Sequence, residues 1–157
     1  MTAFIGIDPG LDGAIGYINR FGEPMFWRMP TVKIGTKRMV NTQAVRKIIV
    51  DLGKVDLVML EDVNAGGVKS IMSAFAFGRG YGRVEATIEC LDRPYAYVGS
   101  HVWTKALGIT RGAGKAEHIA VAERLFPALR GELTDGQADA LLIAEYARRL
   151  HSGRAVA

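Results

Sequence analysis

Cysteine is almost absent: Cys90 is the only one in 157 residues. No disulfide can form within the chain, and a reducing compartment is the simplest setting. Cys90 lies between Ile88 and Leu91 in a helical pattern, so it reads as a buried structural thiol rather than a nucleophile. Histidine is also scarce. His101, His118 and His151 include no pair at zinc spacing, and a lone His is more often a surface or core residue than a ligand. No apolar run approaches the length of a membrane span. The opening Met1-Thr2-Ala3-Phe4-Ile5 lacks the basic start and long apolar stretch of a signal peptide, so a soluble cytoplasmic protein is expected. There is no Gly-x-x-x-x-Gly-Lys-Ser/Thr loop, which removes support for P-loop nucleotide hydrolysis. The run Gly78-Arg79-Gly80-Tyr81-Gly82-Arg83 imitates a glycine-rich loop, but it does not follow a strand as a dinucleotide fingerprint should.

What is present is an ordinary globular balance, 49% hydrophobic and 23% charged, on a chain sized for one compact domain spanning residues 1–157. Lys plus Arg is 20 against 16 Asp plus Glu, a net charge of +4. That charge is compatible with a polyanionic partner without proving one.

Hydrophobic periodicity sets the organisation. Phe4 to Ile7 is a short apolar strand ending in a turn at Asp8-Pro9-Gly10. Ala14 to Ile18 and Pro24 to Met29 read as two further strands, joined by a turn at Asn19 to Gly22. Thr31 to Val40 is polar and basic and reads as a loop. Gln43 to Leu52 is a helix with Val45, Ile48, Ile49 and Leu52 inward, capped by Asn41 or Thr42 and stopped by Gly53. Val55 to Leu60 is a strand buried on both faces. Ser70 to Leu91 has a helical pattern despite Gly78, Gly80 and Gly82, which would permit close packing or close approach of DNA. Tyr95 to Val98 is a strand. Helices follow at His101 to Leu107, Lys115 to Leu125 and Asp135 to Leu150. The order predicts an α/β domain with a mixed central sheet flanked by helices.

Against that frame three acids sit where acids are costly. Asp8 follows an apolar strand, Glu61 closes another, and Asp139 lies beside the apolar helical run Ala140 to Ala144. A buried carboxylate needs compensation, and a divalent cation with oxygen ligands supplies it. Carboxylates converging from separate elements are the ligand set of metal-assisted phosphodiester hydrolysis. Asp135, four residues before Asp139, shares its helix face. It reads as a fourth ligand or as a helix N-cap, and the two roles can coexist.

Four segments resemble one known family in the same order. Ile5-Gly6-Ile7-Asp8-Pro9-Gly10 with Gly13-Ala14-Ile15-Gly16-Tyr17 resembles the opening strands of RuvC-type Holliday-junction resolvases. Leu57 to Glu61 resembles their second acidic strand, Gly112-Ala113-Gly114-Lys115 their basic DNA-contacting segment, and Gln137-Ala138-Asp139-Ala140-Leu141 their last acidic helix. The resemblance implies a ribonuclease H-like fold, a homodimer, Mg²⁺ with Mn²⁺ as a substitute, and paired nicks across four-way DNA in recombination and repair. It implies Asp8, Glu61 and Asp139 as metal ligands. The cellular enzymes carry the fourth acid three residues before the last, where this chain has Gly136. Asp-Gly-x-Ala spacing is similar to phage-encoded members, which implies a bacterial or phage-infected cytoplasm. The family's junction-wedging aromatic is missing from Asp62 to Gly67. Phe75 and Phe77 are substitutes that read more readily as core.

Phosphate contacts are expected from Lys69, Arg79, Arg83, Lys105, Arg111 and Lys115, each also readable as an ordinary solvated charge. Lys115 is favoured because it follows a Gly-Ala-Gly turn at a helix start, where phosphate binds readily. The expected reaction is one-step hydrolysis leaving 5′-phosphate and 3′-hydroxyl ends. A nuclease acting on other branched DNA and a catalytically inactive branched-DNA scaffold are the alternatives. The first strand also resembles the phosphate loop of actin-like ATPases, but those need two such subdomains and this chain has room for one.

Overall fold

The computed structural model describes residues 2–63 and 70–153. Its centre is a five-stranded mixed sheet. The strands are β1 (Phe4–Asp8), β2 (Ala14–Ile18), β3 (Pro24–Arg28), β6 (Leu57–Asp62) and β7 (Tyr95–Gly99), arranged β3-β2-β1-β6-β7. β1, β2 and β3 form an antiparallel meander, whereas β6 and β7 run parallel to β1. Between the two parts, β4 (Thr31–Ile34) and β5 (Lys37–Val40) make a separate hairpin.

That hairpin replaces the expected loop. Its pairs Val32↔Met39 and Lys33↔Arg38 close around Gly35, whose φ of +60° suits a tight hairpin. Most of its side chains are exposed, so no apolar alternation betrays it. Arg38 ties it to the β1–β2 turn, donating to Asp12 Oδ1 (2.6 Å) and to the Leu11 carbonyl (2.5 Å).

The helices are α1 (Thr42–Asp51), α2 (Ile71–Glu89), α3 (Ser100–Ala106), α4 (Lys115–Leu125) and α5 (Asp135–His151). Asn41 caps α1, its Oδ1 accepting from Ala44 N at 3.1 Å, and Gly53 ends the segment with φ +73°. The period of two along the central strands divides the core. Ile5 and Ile7 of β1 and Val58 and Leu60 of β6 pack with Val45, Ile49, Val84 and Ile88 of α1 and α2. Phe4 and Met59 face the other way, into a cluster with Trp103, Val121, Leu142 and Ile143 from α3, α4 and α5. Asp8 and Glu61 continue this second alternation, so both belong to the α3–α4–α5 face.

α5 is the central helix, with every residue from Gly136 to Ala147 except Asp139 buried. It lies directly on a glycine pair. Gly6 and Gly16 are partners across β1 and β2, and a Cβ on Gly6 would stand 2.2 Å from the Ala140 carbonyl oxygen. A Cβ on Gly16 would meet the same oxygen at 2.6 Å. The obstacles are backbone atoms, which cannot rotate away. Lower on α5, the buried Glu145 receives Arg148 at 2.7 and 2.9 Å and Arg149 at 2.8 Å. Burial alone would raise its pKa, but these arginines outweigh it and hold the carboxyl below its ordinary value.

Two further expectations are corrected. Cys90 is exposed, because it is the C-cap of α2 rather than part of its inward face. Gly78, Gly80 and Gly82 are not sites of close packing among the described residues, where an added Cβ would find nothing within 4 Å at any of them.

The two kinds of glycine should respond oppositely to alanine. Gly6→Ala and Gly16→Ala should each destabilise the protein by roughly 2–4 kcal/mol through overpacking against backbone. Gly80→Ala should stabilise it by up to about 1 kcal/mol through helix propensity. Urea unfolding of the three variants tests this, and equal effects at Gly6 and Gly80 would refute the seating of α5.

Candidate active site

Four acids stand within reach of one another's charge at the C-terminal ends of β1 and β6 and the N-terminal end of α5. Ile7 pairs with Leu60, so Asp8 and Glu61 come next on adjacent parallel strands. The Gly6–Gly16 seat fixes α5 beside them, and Asp139 and Asp135 occupy its first two turns. Asp8 feels the charges of Asp139 and Asp135, and Glu61 those of Asp8 and Asp139.

Each acid also has a distinct local partner. Asp8 Oδ1 accepts from Gly10 N at 3.1 Å. Glu61, 8% exposed, accepts from the indole Nε1 of Trp103 at 3.1 Å. Asp139 Oδ1 lies 2.6 Å from His118 Nδ1. Asp135 forms an ion pair with Lys115. The N-cap of α5 is Thr134, whose N–H donates to Gln137 Oε1 at 2.9 Å. Asp135 is therefore the first helical residue and not the cap, which removes one of its two sequence readings.

The electrostatics separate the four. Burial, reinforced by the charges of Asp139 and Asp135, pushes Asp8 up to about 6 against the opposing Gly10 bond. Burial pushes Glu61 up to about 7 despite the Trp103 bond, with Asp8 and Asp139 adding to the rise. Asp139 is also raised by burial, more than its His118 bond lowers it. Asp135 moves the other way, because the Lys115 hydrogen bond holds it ionised.

The donor set is all oxygen, comes from three elements and concentrates negative charge that burial resists. Those properties fit a hard divalent cation such as Mg²⁺ or Mn²⁺. Asp8, Glu61 and Asp139 would hold it, with Asp135 beside them. Among the described residues no three His, Cys, Asp or Glu side chains already close on one point.

The basic residues divide. Lys115 opens α4 after Gly114 and is exposed. The loop before it is tied down by Thr110 N donating to Glu117 Oε1 at 2.9 Å. Lys105 and Arg111 are exposed and share a cleft of about 640 Å³ with His101 and His118, next to Asp139. Arg79 is exposed on α2. Arg83 is half-buried and donates to the Val40 carbonyl at 3.2 Å, so it braces β5 instead of facing solvent. Lys69 lies outside the described residues. Phe75, expected in the core, is 67% exposed and joins Ile71 and Met72 in an apolar patch on the first turns of α2. Phe77 is half-buried.

Two residues at this site were not anticipated from sequence. His118 reads as isolated when histidines are counted. Its spacing of three from Lys115 on α4, which puts both on one helix face, was the available signal. Trp103 carried none, since its contact with Glu61 spans 42 residues of chain.

No family model matches the chain, and no curated protein matches it. Solved structures do. RuvC of Thermus thermophilus in complex with a Holliday junction substrate is 18% identical over 98% of each chain, with a TM-score of 0.69. A further structure of Thermus thermophilus RuvC gives 18%, 98% of each chain and 0.68. The yeast mitochondrial Holliday junction resolvase gives 12% over 98% of this chain and 82% of that one, with a TM-score of 0.55. The chain thus has the ribonuclease H-like fold in the arrangement of RuvC, with a mixed central sheet flanked by helices. No described helix is long and apolar enough to cross a membrane.

Asp8 and Glu61 hold protons more tightly in the folded chain than in the unfolded one, so metal-free stability should fall as pH rises. Asp135 and Glu145 act in the opposite sense, but at or below the ordinary carboxylate range. The loss is therefore expected between about pH 5 and 7. Urea unfolding in EDTA across this window should show the slope, and Asp8→Asn with Glu61→Gln should flatten it. A slope unchanged in the double variant would remove these two groups as its source.

Proposed function

We propose that the protein is a metal-dependent, structure-selective endonuclease of the RuvC-like, phage-type class, acting on Holliday junctions or other branched DNA. The observation that carries this reading is the placement of Asp8, Glu61 and Asp139, from β1, β6 and α5, on one sheet face within reach of one another's charge. The RuvC arrangement of the fold supports it, and the net charge of +4 suits a nucleic-acid partner.

When bound, a divalent cation supplies Lewis-acid activation and charge neutralisation at the scissile phosphate. The protein's own contribution is placement. Asp8, Glu61 and Asp139 hold the ion, and Asp135 adds a fourth carboxylate at the start of α5. Lys115, at the N-terminus of α4, brings a full positive charge beside them for the phosphate. Lys105 and Arg111 line the adjoining cleft and extend the basic surface along the strand, with Arg79 as a further contact. Hydrolysis leaves 5′-phosphate and 3′-hydroxyl ends with no covalent link to the protein. A homodimer would present two such sites with the two-fold symmetry of a four-way junction. Exposed on the helix that follows Glu61, Phe75 is the aromatic available to wedge into it.

The test is incubation with a labelled four-way junction and a matched linear duplex, in Mg²⁺ and in EDTA. Paired nicks confined to the junction and lost in EDTA are expected. Binding without cutting in either Mg²⁺ or Mn²⁺ would establish the inactive-scaffold alternative instead. Asp8→Asn should lower cleavage by more than about a hundredfold, beyond the loss typical of a residue that only orients a ligand, while junction binding persists. Full activity in that variant would remove the carboxylate assignment. Lys115→Ala should lower the single-turnover rate by roughly a hundredfold, the scale for one donor to developing charge. An unchanged rate would remove Lys115 from the site.

A further inference from the structure

We propose that Trp103 and His118 form a brace that sets metal affinity by fixing two carboxylates from different elements, Glu61 and Asp139, relative to one another. The inference rests on the metal-site reading above and assigns roles to two residues outside the acid set. Neither touches the reacting phosphate in this scheme; both are positioning residues.

The brace is continuous. Trp103 Nε1 donates to Glu61 Oε1 at 3.1 Å, and His118 Nδ1 meets Asp139 Oδ1 at 2.6 Å. The two rings meet edge to face, with centroids 5.4 Å apart and planes at 80°. A chain of contacts therefore runs from the end of β6, through α3 and α4, to the first turns of α5. Trp103 is 1% exposed in the core cluster and cannot shift without moving its neighbours. An indole offers only a donor, so its partner must be an acceptor. For the ionised Asp139, His118 must carry its proton on Nδ1, which leaves one carboxylate oxygen engaged and the other available. Each brace residue thus occupies one oxygen of an acid and restricts its rotation. That is the relation by which outer partners orient metal-ligating side chains, and its loss typically costs 10–100-fold in metal affinity.

The test measures Mn²⁺ binding by calorimetry without DNA, alongside thermal unfolding and junction cleavage. His118→Ala and Trp103→Phe should each weaken Mn²⁺ binding by about 10–100-fold. His118→Asn, which keeps an N–H donor near the Nδ1 position, should recover most of the affinity lost in His118→Ala. Should the alanine variant not fold, His118→Phe keeps the ring edge against Trp103 without the donor, and replaces it in the comparison. Leu142→Ala, a core truncation in the same cluster, controls for looseness: it should lower the melting temperature and leave Mn²⁺ binding unchanged.

Unchanged affinity in the donor-less variants, no recovery by asparagine, or an equal loss in Leu142→Ala would each overturn the brace. A wild-type protein that binds no Mn²⁺ would overturn it as well. A wild-type protein that binds Mn²⁺ but cuts no DNA would defeat the nuclease reading, while the brace would still stand or fall on the affinities.

Discussion

Everything at this site depends on how closely α5 can approach the sheet. A helix normally rides on a sheet through side chains on both surfaces. Here the sheet surface under Ala140 is bare backbone, because Gly6 and Gly16 face each other across β1 and β2. The helix settles into that gap with its own small residues, Ala140 and Ala144, and is buried along most of its length. The close approach sets both height and rotation. Asp139, next to the contacting Ala140, is brought beside Asp8 at the end of the strand that carries Gly6. An alanine at Gly6 would force α5 away from the sheet at the point where separation matters most.

The same packing creates an electrostatic problem that the rest of the domain manages. Three carboxylates are drawn toward a partly desolvated end of the sheet, and their mutual repulsion adds to the cost of burial. The domain answers with separate donors: Gly10 N for Asp8, Trp103 for Glu61, His118 for Asp139 and Lys115 for Asp135. None neutralises the cluster. Two of the acids still rise to about 6 and 7, far above an ordinary carboxyl. A cluster satisfied in hydrogen bonds but not in charge is one that a divalent cation would stabilise. Glu145 shows the contrasting solution on the same helix, a buried acid answered by two arginines and held ionised. That carboxylate is used up in structure, whereas those at the other end of α5 keep a demand for positive charge.

Much of this was legible in the sequence because it is carried by local patterns. An apolar strand ending in an acid marks Asp8 and Glu61, and an acid against an apolar helical run marks Asp139. The order of elements along the chain and most helix limits follow from periodicity and capping, whereas the order of strands within the sheet does not. Features decided by distant contacts were not legible. The β4–β5 segment reads as a loop because its strands are short, largely exposed and basic, so no alternation between buried and exposed residues marks them. Cys90 reads as buried from its apolar neighbours Ile88 and Leu91, but it caps the end of α2 and is exposed. Phe75 has an apolar neighbourhood in sequence, yet at the start of α2 it is exposed together with Ile71 and Met72. His118 and Trp103 gain their importance from contacts 21 and 42 residues away, which no local window contains.

The spacing of Asp135 and Asp139 fits a steric constraint at the start of α5. The position three residues before Asp139 is Gly136, and a Cβ there would stand 2.6 Å from the Asp12 carbonyl oxygen and 2.9 Å from Gly13 Cα. Gly13 is equally constrained, since its own Cβ would fall 2.3 Å from the Asp8 carbonyl oxygen and 2.7 Å from Asp8 Cγ. Two glycines therefore meet where the β1–β2 turn touches the start of α5, and Asp8 is packed against one of them. An acid at 136 would push the turn outward and carry Asp8 with it. At position 135 the side chain leaves the helix on the open side of this contact, where it reaches Lys115. The turn that shapes Asp8 and the helix start that places the fourth acid thus constrain each other. The four-residue spacing suits this packing, and Asp135 stays close enough for its charge to act on Asp8.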